Sequence, residues 1–137
     1  MSSGVLFNNT NAVTSTAAGT AGQYLQSQGA GSAPTFVNFS LLVVALTSVT
    51  TTPYTVLTTD YYLSVATGTA KTIRLPNAPS TGRVFVIKDT TGSANSNNIT
   101  VTTVGGVVTI DGSTSYTVNL AYGSLQLVFN GTSYEVY

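Results

Sequence analysis

Cysteine and histidine are both absent from the sequence, and charged residues make up only 6% of it. Without cysteine there are no disulfides and no thiolate metal sites. Without histidine the commonest general base and the commonest metal ligand are missing. Nucleophilic catalysis would have to rest on Ser or Thr activated by Lys or a carboxylate. Lys71 and Lys88 fall in expected strands with no Ser at motif spacing. They read as solvated strand-face charges, or as partners of Asp89 and Glu135. Asp60, Asp89, Asp111 and Glu135 are scattered over strand ends and turns, where Asp ordinarily bonds nearby backbone amides. They do not form the spaced pair of a glycosidase. Neither a calcium-loop spacing nor a phosphate-binding glycine pattern occurs. The expectation is a protein that is not an enzyme, with no catalytic residue, no metal ligand and no cofactor.

Charge excludes further classes. Four Lys and Arg balance four Asp and Glu, for a net charge of zero. No basic excess is present to neutralise phosphates, so neither nucleic acid nor an anionic membrane surface is an expected partner. The longest apolar run, Leu41 to Leu46, falls far short of the roughly 20 residues that span a bilayer. The opening MSSGVLFNNT lacks the basic region and long apolar stretch of a signal peptide. A soluble product is expected. Near-zero charge also leaves little repulsion between copies, which favours self-association.

What the sequence does hold is 42% apolar residues, enough for a core. Its polar remainder is dominated by Thr, Ser and Asn. Thr is β-branched and stiff at χ1, which suits strands and penalises helix.

Residues 1–36 are rich in Ser, Thr, Ala, Gly and Asn and hold no charge. No period runs through them, and alone they cannot bury enough surface to offset ordering entropy. They are either a disordered leader or an extended arm that orders against neighbouring subunits. On the second reading Val5, Leu6, Phe7, Tyr24, Leu25 and Phe36 are the attachment and oligomer contacts. Residues 37–53 form a connecting β segment with apolar residues on both faces, ended by Pro53.

Residues 54–137 carry short apolar-alternating segments with turn signals every eight to twelve residues, the spacing of an all-β sandwich or barrel. Expected strands are 54–57, 61–66, 71–75, 83–88, 99–103, 107–110, 116–120, 125–129 and 134–137. RVFVIK, with four consecutive apolar residues, reads as a central strand covered on both faces. Gly105-Gly106, Asp111-Gly112 and Asn130-Gly131 read as hairpin turns. The expected fold is an antiparallel, jelly-roll-like β-sandwich with an extended N-terminal arm.

Eight tyrosines and no tryptophan remain. Tyr61, Tyr62, Tyr116, Tyr122, Tyr134 and Tyr137 pack in the core or on strand faces, contact other subunits, or offer sugar-stacking platforms. Tyr122 with Asn95, Asn97 and Asn98 is the expected receptor-facing set.

Two stretches resemble known proteins. GTAGQYLQSQGAGSAPTF (Gly19–Phe36) resembles a linker of bacteriophage tail-fibre and other structural proteins. IRLPNAPSTGRVFVIKDTTGSANSNN, ITVTTVGGVVTIDGSTSYTVN and VFNGTSYEV resemble β-rich modules of phage fibres and related surface proteins. The resemblance implies a homotrimeric, non-enzymatic part of the virion surface, made in the host cytoplasm, whose partners are phage capsid or tail proteins. It fits a capsid decoration (cement) protein or short head fibre held by its N-terminal arm. Its alternative is a receptor-binding tail-fibre tip recognising a host surface glycan or protein. The sequence departs from fibre chains in placing the linker within twenty residues of Met1. A small stand-alone surface protein is therefore expected.

Overall fold

A computed structural model of the chain describes residues 6–9, 12–15, 18–30, 32–38 and 44–137, with only the backbone course for 6–9 and 12–15. Among the described residues, thirteen strands run in chain order: β1 (Leu6–Asn9), β2 (Ala12–Ser15), β3 (Gln23–Gln26), β4 (Thr35–Asn38), β5 (Leu46–Val49), β6 (Tyr54–Thr55), β7 (Tyr62–Val65), β8 (Lys71–Leu75), β9 (Val84–Asp89), β10 (Ile99–Thr103), β11 (Ser115–Val118), β12 (Ser124–Phe129) and β13 (Tyr134–Val136). The chain divides into two units, Met1–Val43 and Val44–Tyr137.

In the first unit, where one extended arm is expected, the described strands pair as two antiparallel ribbons, β1 with β2 and β3 with β4. Local polar bonds fix the second ribbon. Gln23 Nε2 donates to Asn38 Oδ1 at 3.0 Å, and Gln28 Nε2 to Thr35 Oγ1 at 2.9 Å. Gly19 lies against the Phe36 ring, where a Cβ would come within 2.8 Å of ring carbons. The two ends of the linker motif are thus in contact.

In the second unit, two sheets share one apolar core. One has the order β13-β12-β9-β7-β5 and the other β11-β10-β8-β6. Inward residues alternate along each strand: Leu63 and Val65, Ile73 and Leu75, Phe85 and Ile87, Ile99 and Val101, Leu125 and Leu127. That period of two is the one legible in the sequence. Tyr134 is fully buried, with its ring centroid 5.2 Å from that of Phe129 and 6.3 Å from that of Phe85. Its hydroxyl donates to the Pro76 carbonyl at 2.6 Å. Burial holds that phenol well above its usual pKa.

The pairing corrects the expected antiparallel, jelly-roll-like sandwich. From β5 to β10 successive strands alternate between the sheets, and β5–β7, β7–β9, β6–β8 and β8–β10 are all parallel. The chain therefore winds as a coil. Parallel neighbours need a crossover, and here a strand of the opposite sheet supplies it in place of a helix. Only the later strands fold back antiparallel: β11 on β10, β12 on β9, and β13 on β12. Apolar alternation is the same for either direction, so it carries no signal for this choice.

Other expectations shift as well. Leu46–Val49, expected within a 37–53 connector, is a strand of the second unit. Residues 107–109 form no strand, and Ile110 makes only isolated bridges, to Ser113 and Tyr134. Asp111 (φ 45°) and Gly112 (φ 79°) do form a tight reversal, as positive φ at both central residues requires. Asn130-Gly131 begins the β12–β13 hairpin, where Asn130 Oδ1 accepts from the amides of Thr132 and Ser133 at 2.9 Å. β9 is central, but covered on its inner face only: Val84, Val86 and Lys88 remain partly exposed.

Candidate functional site

β9 places its inward side chains at Phe85, Ile87 and Asp89, so a carboxylate falls where the alternation calls for an apolar group. Asp89 is fully buried. Its Oδ1 accepts from Thr67 Oγ1 at 2.7 Å and from the Thr91 and Gly92 amides at 3.0 Å. Its Oδ2 accepts from the Ala94 and Tyr122 amides, both at 3.0 Å. None of these donors is a cation. Burial alone would raise the carboxyl pKa, but the Thr67 hydroxyl and the Ala94, Tyr122 and Thr91 amides outweigh it and hold it well below the usual carboxylate range. Its roughly four lone-pair sites are all occupied. Such a carboxylate stays ionised at neutral pH and braces structure.

What it braces is a pair of loops. Thr67, at the end of the β7 segment, also accepts from Asn97 Nδ2 through its carbonyl at 2.9 Å, and its amide donates to Thr91 Oγ1 at 2.9 Å. The 90–98 loop is thereby tied to the 66–68 turn. Across from it, Leu120–Gly123 closes with the Gly123 amide donating to the Leu120 carbonyl at 2.8 Å. Lys88 and Asp89, neighbours on opposite faces of β9, clamp Tyr122 between them. Asp89 accepts from its amide, and Lys88 Nζ donates to its carbonyl.

The clamp holds Tyr122 at φ 57°, a left-handed conformation that bulky residues rarely adopt. Backbone strain of this kind concentrates at functional sites. The Tyr122 ring lies over Gly92, where a Cβ would approach ring carbons to 2.5 Å. It is nevertheless 62% exposed, with the Lys88 ammonium 6.0 Å from its centroid. Leu120 is exposed beside it, and a shallow cleft of about 110 Å³ runs along Tyr116–Leu120, Gly123 and Ser124. A fixed aromatic face beside a cation and a cleft can stack against a flat apolar ligand surface, such as one side of a sugar ring.

No known protein family matches the chain, and no curated protein is significantly similar to it.

The expected site residues separate in the structure. Tyr122 and Ala94, the residue before Asn95–Asn98, donate their amides to the same Asp89 oxygen. Asn95 and Asn98 are exposed, while Asn97 is a loop strut through its bond to Thr67. In the first unit Tyr24 and Leu25 are exposed, and Leu25 pairs with the half-buried Phe36 across the β3–β4 ribbon. Val5 lies outside the described residues, as do the side chains of Leu6 and Phe7.

Lys71 is not a solvated strand-face charge. It is buried at an inward position and donates to the Thr50 carbonyl at 2.8 Å and Thr69 Oγ1 at 3.0 Å. Neither it nor Lys88 pairs with Asp89 or Glu135 in the bonds they make; Glu135 Oε1 instead accepts from Asn130 Nδ2 at 2.6 Å.

Sequence reasoning also misses a second buried carboxylate. Asp60 accepts from Thr47 Oγ1 at 2.6 Å, and from Tyr54 Oη and the Leu57 amide at 2.8 Å. It joins the first turn of the coil to the second. Burial first, then the hydrogen bond and charge of Asp60, push the Tyr54 phenol up to about 12. The Arg83 guanidinium donates to the Asp60 carbonyl. Among the described residues, no three acidic groups converge on a metal-sized site.

Proposed function

We propose that this chain is a non-enzymatic structural module of a bacteriophage particle surface, a capsid decoration protein or short head fibre attached through its N-terminal segment and assembling with copies of itself. The observation that carries the reading is the use made of the buried carboxylates. Asp60 and Asp89 are consumed by structural donors, while Leu46, Leu57, Val107, Leu120 and Tyr122 stand on the surface. Ionisable groups brace the domain, and apolar groups face outward for contact. The resemblance of Gly19–Phe36 and the later blocks to phage structural proteins supplies the setting. Repeated attachment to one shell gives avidity without any strong single contact.

Location tests it. Quantitative mass spectrometry of purified particles should return hundreds of copies per particle, and labelled antibody should decorate the head. A handful of copies at the tail would refute the decoration reading. Absence from the particle would refute both this reading and the next.

A second reading rests on Tyr122. An exposed aromatic held in a strained backbone conformation suits a receptor-binding tip that stacks on a host surface glycan. Adsorption assays separate the two, because decoration does not require the Tyr122 ring.

A further inference from the structure

The outer face of the five-stranded sheet carries a patch of five apolar side chains, Leu46, Tyr62, Val84, Val86 and Val128, bordered by polar ones and uncovered by the chain's second unit. Its rows follow from the register. Leu46, Tyr62 and Val86 align across β5, β7 and β9 and continue to Gln126 on β12. Val84, Val128 and Glu135 align across β9, β12 and β13. Ser48, Ser64, Lys88 and Ser124 form the third row. Leu46 is 68% exposed and Tyr62, Val84, Val86 and Val128 are partly so.

A run of four apolar residues at Val84–Ile87 is the pattern of a strand covered on both faces. One of those faces is left uncovered by the second unit's own strands and loops. Charge indicates what covers it. The outward residues of these five strands include one cation, Lys88 on the central strand, and one anion, Glu135 on an edge strand, at opposite ends along the strand direction. Within the chain Lys88 donates to the Tyr122 carbonyl and Glu135 accepts from Asn130 Nδ2, and each keeps its full charge. From Val84, Glu135 lies two strands to one side and Lys88 four residues along β9. A two-fold axis in the plane of contact, passing beside Gln126, exchanges these ends. It seats Lys88 of one copy on the second copy's Glu135, and Val86 over Val128, with Tyr62 close by.

We propose that two copies of this chain pair through this face around such an axis, an isologous contact in which each charge meets its opposite twice. The inference deepens the self-association in the reading above, and it concerns purified protein alone. Three-fold contacts made by other surfaces are compatible with it, since the two together give dihedral order. With strands about 4.8 Å apart and about 3.3 Å of rise per residue, the face spans roughly 400 Å² per copy. At about 800 Å² in total this is below the roughly 1,200 Å² of a stable protein pair, so the pairing proposed is weak, reversible and dependent on concentration.

The test is the solution mass of full-length protein at high concentration, by multi-angle light scattering, for wild type, Lys88→Glu and Glu135→Lys. Wild type should give an even multiple of the 14.1 kDa chain. Each variant alone places like charges together and should halve that mass, its pairing weakened by more than about tenfold. An equimolar mixture of the two variants should recover the wild-type mass. In a mixed pair the reversed charge at position 88 of one copy meets the reversed charge at position 135 of the other, and at the second contact the native Lys88 and Glu135 still meet. Recovery also shows that both variants fold. An odd multiple or a monomer for wild type, unchanged mass in the single variants, or failure of the mixture to recover would each overturn the proposal. None of these results depends on whether the protein belongs to a virus particle.

Discussion

The amide of Tyr122 donates to Asp89 Oδ2 at 3.0 Å, so a buried carboxylate at the end of one strand fixes the backbone of an exposed aromatic more than thirty residues later. The same carboxylate holds Ala94 through that oxygen, and Thr91 and Gly92 through the other. Loop geometry on this end of the domain therefore depends on one ionised group.

Replacing that group should be costly even with its shape retained. Asp89→Asn turns one acceptor into a donor facing backbone amides, leaving buried donors without partners. Bonds to charged acceptors contribute about 1.5–3 kcal/mol each, and orphaned buried amides add their own penalty. A loss of at least about 3 kcal/mol in urea unfolding is expected. A change below about 1 kcal/mol would show that the network is not what holds the loops.

Stability should respond to acid in a direction set by the same group. The folded-state pKa of Asp89 lies below the usual range, whereas an unfolded Asp titrates near about 3.9. The unfolded chain therefore takes up the proton first. The contribution is complete above the unfolded pKa and is lost as pH falls below about 4 toward the folded value. Denaturation at pH 7, 5 and 3 should show this drop in wild type and a smaller one in Asp89→Asn. Parallel profiles for the two proteins would remove Asp89 as the source.

Tyr54 gives the opposite window. Its phenol, pushed up to about 12 from 10, is stabilised in the protonated form. That stability is fully present below about pH 10 and declines as pH rises from there through about 12. Absorbance at the phenolate band should show late-ionising tyrosine in wild type, with one such group fewer in Tyr54→Phe. The variant should also lose about 1–2 kcal/mol, because Asp60 loses a hydroxyl donor. An unchanged number of late-ionising groups would place the shift elsewhere.

The all-β class was legible because burial alternates with period two along Leu63–Val65, Ile73–Leu75 and Phe85–Ile87. Strand direction was not. A parallel coil and an antiparallel sandwich bury the same alternating residues, and glycine turn signals such as Gly105-Gly106 lead here into irregular chain rather than a strand. Tyr122 is legible only as one receptor-facing candidate on a loop, and its brace is not legible, because an Asp that closes a strand reads as an ordinary turn residue. A signal does exist: Asp89 keeps the inward parity of Phe85 and Ile87. Lys71 carries the same signal, sharing parity with Ile73 and Leu75. A charge at an inward position marks a buried polar network more often than a surface charge, since it persists there only with partners.

The Gly92–Tyr122 contact separates support from recognition. Gly92 has φ 75°, and a Cβ there would meet the Tyr122 ring at 2.5 Å. Gly92→Ala therefore carries both backbone strain and a clash, and should cost about 1–3 kcal/mol. Removing the ring should relieve the clash alone, so Gly92→Ala with Tyr122→Ala should show a favourable coupling of at least about 0.5 kcal/mol in a double-mutant cycle. Tyr122→Ala by itself leaves the Asp89–amide bond in place and should lower stability little, its ring being mostly exposed. If the ring stacks on a host glycan, that variant should cut particle adsorption to host cells at least tenfold, since one lost stacking contact of about 1–3 kcal/mol is multiplied over copies. Normal adsorption with a folded domain would leave the ring as packing over Gly92 and dismiss the receptor reading.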